Sequence, residues 1–347
     1  MKEFFGFHGL TIQLSSASAD LVKELRRDFA YFRIPPVEQR SDVRVELNLN
    51  PPPYANLPPA RALFSTPRNI CFKNGSITYV DYFGEALAVF DRADRSCSVF
   101  GTDRDLVREI AYLFILSTAG QHFDRKGLHR VHALGISYRQ RGILLLLPAG
   151  GGKSTMALKL LNNPGFLLLG EDTPLIDRQG RILPFPLPLG IQPGLDYRIP
   201  QKHLRTVNRM EFDPKTLIDI EYFNNRIGEA VEPFLLLVGE RNLGEISEIT
   251  PLPLHKAFKA LLKYMVVGLG IYQGLEFLLE RSALELATKG GVVFSRLYNC
   301  LRLLGRSKTF KFKLGRDKEK NCHTLIEFVR RTSKKINDDT LFMRKHN

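Results

Sequence analysis

Apolar and polar positions alternate in short runs over the first hundred residues, and the texture then changes. Phe5–Leu14 alternates as a strand, Ala19–Phe29 (ADLVKELRRDF) spaces its apolar positions as a helix with Asp20 near its start, and Val43–Leu49 alternates again. The prolines of PPPYANLPPAR, Pro51–Arg61, remove backbone donors and fix φ, so this stretch is expected to be a loop. Asn69–Phe72, Ser76–Tyr82, Ala86–Asp91 and Cys97–Phe100 are separated by NG, FGE and DRAD turns and predict an antiparallel meander. An amphipathic helix is expected over Arg104–His122. Residues 1–125 thus read as a smaller, accessory α/β domain.

Beyond residue 126 the apolar runs become continuous. A strand is expected at His129–Ser137, and Gln140–Leu147 ends in four leucines, as a strand buried on both faces should. Lys153–Leu161 is expected as a helix, stopped by Asn162-Asn163-Pro164-Gly165, and Phe166–Gly170 as a second buried strand. Further strands are predicted at Leu175–Asp177, Arg181–Pro184 and Phe234–Glu240, with Ser247–Pro251 closing a hairpin and Phe310–Leu314 a last strand. Helices are predicted at His255–Gly268, Leu275–Thr288, Val292–Leu303 and His323–Lys335. These elements define a second domain over 126–330, followed by a basic C-terminal tail at 331–347. The stretch Met265–Leu279 falls short of the roughly 20 apolar residues a spanning helix needs and carries Gln273 and Glu276, so it reads as a buried helix and no membrane span is expected.

Composition narrows this picture. A chain of 347 residues suits about two domains. Cys71, Cys97, Cys300 and Cys322 are scattered with no C-x-x-C spacing, so neither a zinc site nor a disulfide framework is expected and a reducing cytoplasm fits. MKEFFGFHGL lacks a long apolar core and a small-residue cleavage pattern, so no signal peptide is expected. The net charge is +14, and Gly305–Asn347 alone holds 13 Lys and Arg against 5 Asp and Glu. Such a tail could meet nucleic acid, an anionic membrane surface or an acidic partner. No nucleic-acid motif accompanies it, so a solvated basic helix is the expectation and no nucleic-acid partner is assigned.

The chemistry gathers at LPAGGGKST, Leu147–Thr155, between a buried strand and a helix. In that setting a glycine-rich loop cradles phosphates: successive N–H groups point inward, the helix N-terminus adds positive potential, and Lys153 reaches the β- and γ-phosphates. Pro148, Ala149, Gly150, Gly151, Gly152, Lys153, Ser154 and Thr155 are the expected nucleotide-binding residues, with the Ser154 hydroxyl on Mg²⁺. Leu147 stands where the full G-x-x-x-x-G-K-[ST] pattern has its first glycine. Glu171 and Asp172 end the next strand, 18 and 19 residues beyond Lys153, where strand ends face a ligand crevice. Two adjacent acids there can divide the labour, one holding Mg²⁺ and the other taking a proton from an attacking hydroxyl. His132 lies 21 residues before Lys153, and His129 three residues earlier is an equal candidate for a merely packed residue.

Taken together, His132-Ala133, the strand Ile143–Leu147, PAGGGKS and FLLLGED resemble the catalytic domain of the HPr serine kinase/phosphorylase family, whose P-loop is similar to that of phosphoenolpyruvate carboxykinases. The resemblance covers roughly 126–330. It implies an α/β P-loop kinase domain with a mixed central sheet, ATP and Mg²⁺, and transfer to a serine hydroxyl of a peptide or protein. By that resemblance Asp172 would be the base, Glu171 and Ser154 metal ligands with Asp172 beside them, Lys153 the phosphate clamp, and His132 a neighbour of the reacting γ-phosphate. Thr155 stands where the bifunctional members carry Glu, and the accessory domain is unlike theirs. The better match is the looser group of HPr-kinase-related proteins of peptide-modification cassettes.

Two other functions fit the residues. One is a small-molecule P-loop kinase, which also places an acid after the next strand but carries a short arginine-bearing lid and lacks the upstream histidine strand. The other is a nucleotide-binding sensor or escort protein, which the loss of glycine at position 147 would suit. The alternating prolines of Ile182–Gly194 could hold a peptide rail or simply a rigid connector. Arg198, Lys202 and Arg205 could clamp a phosphate or an acidic substrate, or simply be solvated surface cations.

Overall fold

The computed structural model describes residues 1–36, 41–148, 150–191, 199–210, 213–268 and 283–344, without the side chains of 283–289 and 335–344. They form a mixed α/β structure divided into two compact units. The first holds the described residues of Met1–Lys126, Leu187–Phe223 and Tyr272–Ala287; the second holds those of Gly127–Pro186, Asn224–Ile271 and Thr288–Asn347.

The first unit opens with β1 (Lys2–Phe7) and β2 (Leu10–Ser16), paired antiparallel across His8-Gly9. The single strand expected over Phe5–Leu14 is therefore a hairpin. Both turn residues have positive φ, 48° and 91°, a conformation whose twist suits a two-residue hairpin and which glycine adopts without strain. Helix α1 (Ala19–Asp28) starts at Ser18, whose hydroxyl accepts from the Leu21 N–H, and it buries Leu21, Val22 and Leu25. Then come β3 (Val43–Asn48), β4 (Arg61–Ser65), β5 (Ile70–Asn74), β6 (Ile77–Asp81), β7 (Ala86–Asp91) and β8 (Ser96–Gly101). They join the hairpin in one sheet ordered β1-β2-β3-β8-β7-β6-β5-β4. The expected meander runs antiparallel from β5 to β8, whereas β2–β3 and β3–β8 are parallel, the first through the crossover α1. Helix α2 (Arg104–Lys126) buries Ile110, Phe114 and Phe123 among others.

The second unit begins with β9 (His129–Arg130), β10 (Leu134–Tyr138), β11 (Arg141–Leu146), α3 (Lys153–Leu161), β12 (Phe166–Gly170), β13 (Leu175–Ile176) and β14 (Ile182–Leu183). The continuous strand expected over His129–Ser137 is broken. β9 joins a small sheet with β13 and β14, β10 joins the main sheet, and Val131–Ala133 bridge the two. The backbone groups in the break stay satisfied: the Val131 N–H donates to the Pro174 carbonyl and the Ala133 N–H to that of Asp172.

The chain then forms β15 (Leu189–Ile191), β16 (Leu204–Val207) and β17 (Lys215–Ile218), an antiparallel sheet that belongs to the first unit. The single boundary expected after residue 125 is thus too simple, because 187–223 return to the earlier unit. The second unit resumes with β18 (Glu232–Arg241), β19 (Glu248–Pro251), α4 (Leu254–Leu261) passing into a π-helical turn at Leu262–Val266, α5 (Ala283–Arg306), β20 (Lys308–Leu314) and α6 (Lys318–Arg344). Its main sheet is ordered β12-β10-β11-β18-β20-β19. The expected hairpin between β18 and β19 is not formed, since β20 lies between them, parallel to β18 and antiparallel to β19. Helix α5 runs unbroken through Gly290-Gly291, where a gap between helices is expected, and α6 continues past residue 331 with no separate tail up to Arg344. The parts of Met265–Leu279 and Leu275–Thr288 within 269–282 lie outside the described residues, as do Gln192–Gly194 and Arg198.

One face of this sheet carries Leu144, Leu146 and Leu236 against Ala257 and Leu261 of α4 and Leu303 of α5. Ile143 and Leu145 point to the other face, beneath Leu160 of α3 and Leu325 and Val329 of α6. β10 is antiparallel to both β11 and β12, and β11, β18 and β20 are mutually parallel. The start of β10 therefore lies on the same sheet edge as the ends of β11, β12 and β18. No helix among the described residues is long and apolar enough to cross a membrane.

Candidate functional site

Strand direction gathers the sequence-predicted residues on that one edge. His132 precedes β10, Lys153 opens α3 after β11, and Glu171-Asp172 follow β12. Lys153 is buried, and its Nζ stands 2.8 Å from His132 Nε2 and 3.4 Å from Asp172 Oδ1 while donating to the carbonyl oxygens of Leu147 and Pro148 at 3.1 and 3.3 Å. Asp172 Oδ1 also lies 3.2 Å from His132 Nδ1. That approach is off the hydrogen-bonding direction, so Nδ1 remains a buried polar atom without a well-aligned partner. The Ser154 hydroxyl donates to Glu171 Oε1 at 2.7 Å.

The loop owes its turn to its glycines. Gly150 and Gly152 have φ of 70° and 100°, in the left-handed region, and Gly152 directly precedes the first turn of α3. A Cβ on Gly151 would sit 2.8 Å from the Pro148 carbonyl, closer than real side chains approach, so only glycine lets the chain fold back there. Ala149 lies outside the described residues. Thr155 is half-buried in the first turn of α3.

His132 is held from three sides. Its N–H donates to the Tyr264 carbonyl at 3.0 Å, its ring stacks on that of Tyr264 with centroids 5.8 Å apart, and its Nε2 receives the Lys153 ammonium. Burial drives its pKa below the ordinary 6.5; the Asp172 carboxylate pulls upward and the Lys153 ammonium adds to the fall. A lysine that donates to Nε2 places the ring proton on Nδ1, facing Asp172. His129 is elsewhere, buried with Nε2 2.7 Å from Ser295 Oγ.

Leu147 proves to be accommodated. It is fully buried, and its Cδ2 lies 2.4 Å from where a Cβ on Gly239 would be. Gly239 on the facing strand leaves room for the leucine. Arg205 does not join the site. It belongs to the first unit, where its side chain is 9% exposed and donates to Asp28 at 2.5 Å and Asp219 at 2.8 Å, and Lys202 lies exposed in a short turn of that unit. Tyr264, Gly239 and Arg241 belong to the site's surroundings and were not legible in the sequence. The only signal was a glycine and a cation ending the apolar strand PFLLLVGER.

Compared with models of known protein families and with curated proteins, the chain matches none.

Proposed function

We propose that the chain is an ATP- and Mg²⁺-dependent kinase that transfers the γ-phosphate to a hydroxyl, that of a serine on a peptide or protein. We read the second unit as a P-loop kinase domain of the HPr kinase/phosphoenolpyruvate carboxykinase type. The observation that carries this is the convergence of Lys153, His132 and Asp172 at the mouth of a glycine loop. A bare strand-to-helix turn has no reason to bury a lysine against a histidine and a carboxylate.

The residues support a division of roles. The backbone of Gly150–Ser154 and the N-terminus of α3 hold the phosphate chain, and Lys153 swings between its present acceptors and the β- and γ-oxygens. Asp172, half exposed at the mouth, takes the proton of the acceptor hydroxyl as the new oxygen–phosphorus bond forms and the bond to ADP breaks. His132 anchors Lys153 through Nε2 and stands with Nδ1 3.2 Å from Asp172. Ser154 and Glu171 present a hydroxyl and a carboxylate at one point, the hard-oxygen donors Mg²⁺ prefers, with Asp172 beside them. Among the described residues no three His, Cys, Asp or Glu cluster as a metal cage, which suits an ion held largely by phosphate oxygens and water. When bound, Mg²⁺ would neutralise charge on the β- and γ-phosphates.

The test is transfer of γ-labelled phosphate from Mg-ATP in a native extract, comparing wild type with Asp172→Asn. Label in a peptide or protein with wild type alone supports the proposal, and the substitution should lower transfer at least about 100-fold while ATP binding persists. Undiminished transfer by Asp172→Asn sinks the base assignment. Label confined to small molecules favours a metabolite kinase, and ATP binding without transfer favours a sensor or escort.

A further inference from the structure

We propose that Arg241 is a phosphate-binding residue of this site, gripping the terminal phosphates of the nucleotide from the side opposite His132 and Asp172. The inference rests on the phosphotransferase reading and extends it.

β18 lies beside β11 and parallel to it, with Leu146 paired to Val238. The register therefore sets Gly239 opposite Leu147 and carries Arg241, two residues on and on the same face, to the level of the loop. Its Nη2 lies 3.8 Å from where a Cβ on Gly152 would be, so the absent side chain leaves the guanidinium open access to the start of α3. A cation is out of place there. The N-terminus of a helix carries positive potential, and a positive side chain beside it is repelled unless an anion sits between them. Nor is the charge neutralised locally. Glu240, the adjacent acid, is paired with Lys311 at 2.5 Å, and no carboxylate among the described residues pairs with Arg241. The side chain is exposed, so no packing role accounts for its position.

An anion above the first turn of α3 would thus stand between Lys153 on one side and Arg241 on the other. The guanidinium is suited to this, since its planar fork matches two phosphate oxygens and its charge is permanent. As charge builds on the transferring group, a fixed cation at that position also favours the transition state.

The experiment is calorimetric titration of ATP and AMP into the full chain as wild type, Arg241→Ala and Arg241→Lys, with the melting temperature of each. The expected result is a loss of ATP affinity of about tenfold or more in Arg241→Ala. AMP affinity and melting temperature should be unchanged, and Arg241→Lys should recover part of the loss. ATP binding equal in wild type and Arg241→Ala overturns the assignment and leaves the P-loop reading standing. An equal loss for ATP and AMP with a lowered melting temperature also overturns it, because that is the mark of a structural residue. A wild type that binds no ATP removes the P-loop reading, and the role of Arg241 with it.

Discussion

His132 is a neutral ring stabilised by what surrounds it, and that has a measurable consequence. A histidine whose pKa falls on folding contributes stability that is complete above its unfolded value of about 6.5 and drains away as the pH drops toward the folded value. Chemical denaturation between about pH 7.5 and pH 5 should show wild type losing stability on the acid side faster than His132→Gln. Identical acid slopes would place the titration in another group. Lys153 makes the complementary case. Lys153→Ala should abolish ATP binding and transfer together, and unchanged affinity would count against the loop. The residues readable from sequence are those a motif places within a few positions of a strand end: Lys153, Ser154, Glu171 and Asp172. His132 was a weaker candidate, and its importance shows only in the contact between its Nε2 and Lys153 Nζ. Arg241 reaches the same place by strand order and Tyr264 by the π-helical turn that follows α4, neither of which side-chain periodicity encodes.

Elements were legible where their boundaries are chemical. α3 runs over the predicted residues because Gly152 and Asn162-Asn163-Pro164-Gly165 punctuate it, and β12 does so because its leucines end at Gly170-Glu171. The pairing of β20 between β18 and β19 was hidden, since a chain reads neighbours in sequence more readily than neighbours in space. Gly290-Gly291 misled in the opposite sense, as two glycines weaken a helix by only about 1 kcal/mol each and α5 continues through them. The match between β11 and β18 lends itself to a double-mutant cycle. Gly239→Ala pushes a methyl into Leu147 and should cost about 1–3 kcal/mol. In combination with Leu147→Ala that clash disappears, so the two costs should fail to add, and strict additivity in denaturant titrations would show that the leucine does not depend on Gly239.

On the scale of the whole chain, the first unit depends on a charged knot that composition could not reveal. Arg205 is held by Asp28 and Asp219, Asp28 also pairs with Arg108 at 2.5 Å, and Asp219 with Arg27 at 2.5 Å. Burial would lower the Arg205 pKa, but the two carboxylates more than offset it and hold the guanidinium charged. Arg205→Met should cost the first unit about 1–3 kcal/mol, because the buried Asp28 and Asp219 each lose one of their two cationic partners. A loss below about 0.5 kcal/mol in thermal or denaturant melts would mean water reaches the knot freely. In sequence Arg205 reads equally as a ligand clamp or a solvated surface cation, and only the return of 187–223 to the earlier unit explains it.

That return bears on the order in which the protein is made. Asp28 and Arg108 leave the ribosome long before Arg205, which lies 177 residues after Asp28. At about 5–20 residues per second, the early strands wait on the order of 5–20 s between the emergence of α2 and that of β17. Throughout that interval the nascent chain carries Asp28 and Arg108 without their third member, while the glycine loop before α3 is itself being synthesised. The sheet translated first therefore cannot be completed by the residues that immediately follow it, and ribosome-bound chains from which residue 204 has not emerged should be more open to protease than chains from which residue 223 has emerged.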